Sequence, residues 1–117
     1  MKQILIADDS ETVAQALAAC LQAEYAVTVT YRGAEALARA TALPSCDLLV
    51  TDYLMPEMDG AELAERIRAV HPGAKVLLLT GLGEDLELER DPSDARLAKP
   101  FGPIELRAAV AALIGPP

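Results

Sequence analysis

A chain of 117 residues with a formal charge of −8, from 18 Asp and Glu against 10 Lys and Arg, has the size of one domain. It is a poor match for nucleic acid or an anionic membrane surface, both of which select basic patches. Hydrophobic residues at 52% exclude global disorder, and 3% aromatics with no Trp exclude a base-stacking platform.

Gln3-Ile4-Leu5-Ile6-Ala7, followed by Asp8-Asp9-Ser10, is a short apolar run ending in acids, which predicts a strand buried on both faces. Residues 11–24 change to a helical period, with Val13, Leu17, Cys20 and Leu21 on one stripe and Ser10 as N-cap. Residues 26–30 are a β-branched second strand. Gly33 breaks it, and the Ala-rich stretch 34–42 predicts a helix with Leu37 and Ala38 on its inner side. Residues 47–51 form a third strand, with Asp52 at its end. A loop containing Pro56 and Gly60 leads to a helix over 61–70 that turns Leu63, Ile67 and Val70 inward and stops at His71-Pro72-Gly73. Residues 76–79 are the most apolar strand and end at Thr80. A short helix over 84–90 is cut off by Asp91-Pro92-Ser93, and its acidic residues Glu84, Asp85, Glu87 and Glu89 read as a solvated face. Residues 96–98 make a short fifth strand ending at Lys99-Pro100. Pro103 opens a last helix with Ile104, Val110, Leu113 and Ile114 toward the core.

Five alternating β-α units predict an α/β, flavodoxin-like, doubly wound three-layer fold with a parallel sheet in the order 2-1-3-4-5, as a single domain over residues 1–117. Such a domain leaves no room for an output module of its own. No apolar run approaches the ~20 residues that cross a bilayer, and no signal-peptide pattern opens the chain. Cys20 and Cys46 have no CxxC spacing and no partner His, so they read as reduced, packed thiols of a cytoplasmic protein, a disulfide or metal pair being the lesser alternative.

In a doubly wound sheet, ligands bind beyond the carboxyl ends of the strands. Those ends carry Asp8 and Asp9, Asp52, Thr80 and Lys99. Three carboxylates drawn together repel and call for a counter-charge. Oxygen-only donors favour Mg²⁺. A divalent ion beside a carboxylate, a hydroxyl and an ammonium is equipment for phosphoryl transfer, with Asp as covalent acceptor. Each residue also has a plain structural role: a helix cap for Asp9 or Ser10, a loop start for Asp52, turns for Thr80-Gly81 and Lys99-Pro100. It is their coincidence at one sheet edge that points to chemistry. His71 reads as a helix end, and Met55 and Met58 as loop packing.

Asp8-Asp9, the stretch Asp52-Tyr53-Leu54-Met55-Pro56-Glu57-Met58-Asp59-Gly60, Leu79-Thr80-Gly81 and Lys99-Pro100-Phe101 occur in the order found in receiver domains of two-component response regulators, and the whole chain resembles that family. The resemblance implies that Asp52 accepts a phosphoryl group from a histidine kinase or phosphotransfer protein. It implies that Asp9, Asp52 and the Leu54 carbonyl hold Mg²⁺, with Asp8 acting through metal-bound water. Thr80 and Lys99 would then engage the phosphoryl oxygens, and the Lys99-Pro100 bond would be cis. Output would pass to a downstream effector protein or domain, with a homodimer as one form, and with no direct binding of nucleic acid or membrane. The domain would be no enzyme beyond its own phosphorylation and slow autodephosphorylation. Two features depart from the family. Arg96 stands where an aromatic residue is usual, three before the lysine, and the stretch from Thr80 to Lys99 is short. Leu54 and Leu82 flank the site where polar groups would orient an attacking water. Two other readings stay open: a degenerate receiver serving as an interaction scaffold, and a Mg²⁺-dependent phosphatase, which Leu54 and the lack of a cap domain disfavour.

Overall fold

Strands that are apolar on both faces must be covered twice, and the chain does so by wrapping helices on either side of one parallel sheet. The computed structural model describes residues 1–81, 88 and 91–117. Its elements are β1 (Gln3–Ala7), α1 (Glu11–Leu21), β2 (Ala26–Thr30), α2 (Gly33–Ala42), β3 (Leu48–Asp52), α3 (Gly60–Val70), β4 (Lys75–Thr80), β5 (Ala95–Ala98) and α4 (Pro103–Ile114). All pairings are parallel and the order is β2-β1-β3-β4-β5, the flavodoxin-like arrangement that the alternation predicts. Apart from Leu88, the predicted helix over 84–90 lies outside the described residues, as does Leu82.

Alternation along the central strands divides the core into two layers. Ile4, Ile6, Leu48, Val50, Leu77 and Leu79 meet Leu17 and Leu21 of α1 and Leu106 and Val110 of α4. On the other face, Leu5, Ala7, Leu49 and Val76 meet Ala36 and Ala40 of α2 and Leu63, Ala64 and Ile67 of α3. Each fully buried Leu or Ile contributes about 1.5–3 kcal/mol, and these side chains concentrate on β1, β3 and β4. The ends of β1, β3 and β4 that carry Asp8, Asp52 and Thr80 are therefore anchored from beneath.

The helix starts follow the sequence. The Ser10 hydroxyl accepts from the Val13 amide at 3.3 Å, and Asp59 accepts from the Glu62 amide at 2.8 Å. Pro103 opens α4, where the Glu105 carboxylate accepts from the Gly102 amide at 3.2 Å. Four expectations are corrected. Helix α1 stops at Leu21, because the amides of Glu24 and Tyr25 turn back onto the Leu21 carbonyl. Gly33, expected to lie between the second strand and a helix over 34–42, is itself the first residue of α2. The inner stripe of α2 is Gly33, Ala36 and Ala40 with Leu37 half-buried, so Ala38 falls outside. Val70 and Ile104 are 39% and 82% exposed, each on a helix whose inward positions are taken by neighbours: Leu63, Ala64 and Ile67 in α3, Leu106 and Val110 in α4. The two thiols pack on opposite faces of the sheet, half-buried Cys20 with α1 and buried Cys46 beneath α2 and α3, so they form no disulfide.

Candidate functional site

The carboxyl ends of β1, β3, β4 and β5 bring the residues expected from the sequence to one place. Asp8 follows β1 and is fully buried. One of its oxygens accepts from the Ser10 amide at 2.9 Å and the other from Lys99 Nζ at 3.1 Å. The same Lys99 Nζ lies 3.5 Å from an oxygen of Asp52. Asp9 is exposed beside them, and Asp8, Asp9 and Asp52 each offer a carboxylate oxygen such that all three lie within 4.8 Å of one another. Among the described residues this is the one group of three or more His, Cys, Asp or Glu side chains close enough to share a metal ion.

The electrostatics follow from that crowding. Burial pushes the Asp52 carboxyl above its ordinary value. Lys99 opposes the shift, and Asp8 and Asp9 add to it. One ammonium faces three carboxylates, which leaves surplus negative charge at a cluster whose donors are all oxygens. That donor set fits Mg²⁺, a hard cation that binds through one or two carboxylates and retains water.

Thr80 ends β4 and is 6% exposed. Its carbonyl accepts from the Lys99 amide at 2.7 Å, which fixes the backbone that carries the ammonium. The Lys99-Pro100 bond is cis, as expected. Leu54 sits two residues beyond Asp52 and is 57% exposed.

The loop after Asp52 is shaped by contacts that the sequence shows only as a motif. The Tyr53 amide donates to the Leu79 carbonyl at 3.0 Å, and the Gly60 amide donates to the Tyr53 carbonyl at 2.8 Å. A β-carbon on Gly60 would stand 2.5 Å from the Asp52 carbonyl oxygen and 2.9 Å from Leu78, so only glycine lets α3 start this close to the acceptor strand. Glu57 takes the left-handed conformation, φ 71°, within the same loop. Nothing in its residue type announces that, since glycine and asparagine are the usual occupants. Met55 and Met58 pack on the α2–α3 layer, as expected for loop packing.

Three residues lie apart from the cluster. Arg96 points away to Asp91, whose Oδ2 accepts from Nε at 3.1 Å and Nη2 at 2.6 Å. His71 caps α3 and places Nε2 2.7 Å from the Ala40 carbonyl of α2. Burial pushes the Cys46 thiol up to about 11, away from any nucleophilic role at neutral pH.

Known proteins resemble the chain in sequence and in fold. The family described as "Response regulator receiver domain" matches residues 4–111. The response regulator receiver protein CpdR of Brucella abortus is 42% identical over 105 residues, covering 86% of this chain and 87% of CpdR. The regulatory protein VanRc of Enterococcus gallinarum is 35% identical over 93% of this chain, which spans only 48% of that protein. The crystal structure of the Vibrio cholerae chemotaxis protein CheY4 superposes with a TM-score of 0.87 at 28% identity, covering 97% of this chain and 98% of CheY4. With the family model matching residues 4–111 and the fold in agreement, the chain belongs to the receiver domains of two-component response regulators.

Proposed function

We propose that residues 1–117 act as one phosphorylatable receiver domain, with Asp52 as acceptor, Asp8 and Asp9 completing the acidic cluster, and Thr80 and Lys99 as the groups that close on the phosphoryl. The observation that carries this reading is the position of Lys99 Nζ, 3.1 Å from Asp8 and 3.5 Å from Asp52, at the mouth of a three-carboxylate cluster. A phosphohistidine of a histidine kinase or phosphotransfer protein is the donor. An Asp52 oxygen attacks the phosphorus in line, the P–N bond breaks, and its electron pair leaves on the donor imidazole. Asp8, Asp9, Asp52 and the Leu54 carbonyl would hold Mg²⁺, which when bound neutralises charge on the equatorial phosphoryl oxygens. Lys99 exchanges its carboxylate partners for those oxygens, and the Thr80 hydroxyl donates to them. The phosphorylated state is favoured only by the difference in these contacts between two conformations, a few kcal/mol. Output then passes through a surface to an effector, in the cytoplasm, with a homodimer as one form.

Asp52→Asn is expected to abolish labelling by acetyl phosphate, and equal labelling of that variant would refute the acceptor assignment. The exposed Leu54 side chain offers no hydrogen bond to an attacking water, so the phosphorylated form is long-lived. Leu54→Asn is expected to shorten its lifetime several-fold, and an unchanged decay rate counts against this account of the loop.

Arg96 favours a second reading, a receiver that serves as a phosphorylation-independent scaffold. It sits in the position of the family's usual aromatic residue and is held outward by Asp91. Mg²⁺ titration with and without beryllofluoride, a phosphoryl mimic, separates the two. Enhanced binding of the pair supports the acceptor, and absence of any binding supports the scaffold.

A further inference from the structure

Strand β5 delivers Lys99, yet it is the least anchored strand of the sheet. It has four residues against five or six in the others, and its burial alternates between half-buried and exposed. Only Ala95 and Leu97 reach the core layer, and both do so incompletely. An edge strand with so little apolar content specifies its register weakly. A slip of one residue would carry Lys99 about 3.3 Å along the strand and turn its side chain to the other face, out of reach of Asp8 and Asp52.

A polar clamp stands where the apolar anchoring is thin. Strand β4 pairs with β5 from Leu77↔Ala95 to Thr80↔Ala98, so Val76 lies just outside the ladder. Its carbonyl accepts from the Asp94 amide at 2.9 Å, and its own amide donates to Asp94 Oδ2 at 2.8 Å. The carboxylate thus takes the place that a continued parallel ladder would give to the carbonyl of residue 92. That carbonyl, on Pro92, is turned away and accepts from Arg68 Nη1. Arg68, in the last turn of α3, also pairs through Nη2 with Asp94 and donates through Nε to the Ala74 carbonyl at 3.1 Å. One guanidinium therefore ties the end of α3, the approach to β4 and the approach to β5 together. The Arg68 and Asp94 side chains are 29% and 30% exposed, so solvent reaches the pair and its weight lies in geometry more than in Coulomb energy. Charge-assisted bonds of this kind are stronger and more directional than neutral ones.

We propose that Asp94, steadied by Arg68, is a positioning residue for Lys99: it sets the register of β5 on β4 from one end of the strand, so that the lysine at the other end arrives between Asp8 and Asp52. The role rests on reading Lys99 as a phosphoryl-pairing group, and it reaches the site only through the backbone of four residues.

Two measurements on the full chain decide it. The rate of Asp52 labelling by acetyl phosphate is compared in wild type, Asp94→Ala, Asp94→Asn, Lys99→Ala and the double variant Asp94→Ala/Lys99→Ala. Asp94→Ala is expected to slow labelling about ten-fold, because small misplacements of a positioned group are costly. Asp94→Asn keeps an oxygen for the Val76 amide and recovers most of the rate. The double variant is no slower than Lys99→Ala alone. Amide hydrogen exchange is the second readout: in Asp94→Ala the Lys99 amide loses about ten-fold or more of its protection, while the amides of β3 keep theirs. Losses that multiply in the double variant overturn the proposal, and so does an unchanged Lys99 amide in Asp94→Ala. If Asp94→Ala does not fold, Arg68→Met carries the test, with a smaller loss of both labelling rate and Lys99 protection; no change in either refutes the clamp. A wild type that takes no label defeats the acceptor reading, and the exchange measurement still decides the register claim.

Discussion

Asp8 and Lys99 face each other across the same cluster, yet opposite kinds of physics hold them there. Asp8 follows β1, which lies between β2 and β3 inside the sheet, with Ile4, Leu5, Ile6 and Ala7 beneath it at 0–1% exposure. Lys99 follows β5, at the sheet edge, where polar contacts at Asp94 and Asp91 do what buried side chains do for β1. The Asp8 half of the cluster is built from non-directional burial, and the Lys99 half, which under the proposed function exchanges partners, is built from hydrogen bonds. If Lys99 gives up Asp8 and Asp52 for phosphoryl oxygens as proposed, its place on the more weakly packed strand fits that task, because elements that move are drawn from the low-stability end of a fold.

Paired core substitutions give the largest test of that contrast. Leu49→Ala, in fully buried β3, is expected to cost about 3 kcal/mol through lost transfer energy and an unfilled cavity. Leu97→Ala, in half-buried β5, is expected to cost about 1 kcal/mol. Urea denaturation of both variants measures the difference, and equal costs would mean that the edge is anchored as firmly as the centre.

Next comes the alkaline side, which probes the central layer through Cys46. Its folded value of about 11 lies above its ordinary 9.0 because burial disfavours the thiolate. Below pH 9 the thiol is protonated in both states and its contribution is fully present. Between about pH 9 and pH 11 the unfolded chain loses that proton first, so folding stability falls. The stability advantage of wild type over Cys46→Ala should shrink by about 2–3 kcal/mol across that window, at 1.36 kcal/mol per unit. A constant difference from pH 8 to pH 11 would show that the thiol is not sequestered as its burial beneath α2 and α3 implies.

The central half was legible in the sequence and the edge was not, for the same reason. Strands such as Ile4-Leu5-Ile6 and Val76-Leu77-Leu78-Leu79 carry their burial in residue type, and their carboxyl ends follow from topology, so Asp8, Asp9, Asp52, Thr80 and Lys99 could be brought together before any coordinates. Helix phase was less secure. Ile104 and Val70 are apolar but point outward, since a stripe shifted by one position still reads as amphipathic. The Arg68–Asp94 clamp joins residues 26 apart by polar bonds that have no period, and an Asp before a short strand looks like an ordinary turn residue. The left-handed Glu57 carries no cue in its side chain. Gly60 sits between these cases: the motif marks it, and only the 2.5 Å approach to the Asp52 carbonyl explains it.

The smallest expected effect sharpens the edge itself. Arg96 and Asp91 are paired with side chains 32% and 34% exposed, so solvent screens them and their coupling should be at most about 1 kcal/mol. Burial alone would raise the Asp91 carboxyl. The Ser93 hydroxyl and amide, together with Arg96, outweigh it and leave the group below its ordinary value of 3.8. A depressed carboxyl contributes its stability above the unfolded value and loses it as pH falls through the folded one. The coupling between Arg96→Met and Asp91→Asn in a double-variant cycle should therefore be present at pH 7 and vanish once the pH has fallen through the folded value, which lies below 3.8. Salt should weaken it at pH 7 as well, since the pair is within reach of counterions. A coupling that survives acid would mean the two residues communicate through packing instead of charge. In that case Arg96 would fix the edge by the volume of its stem.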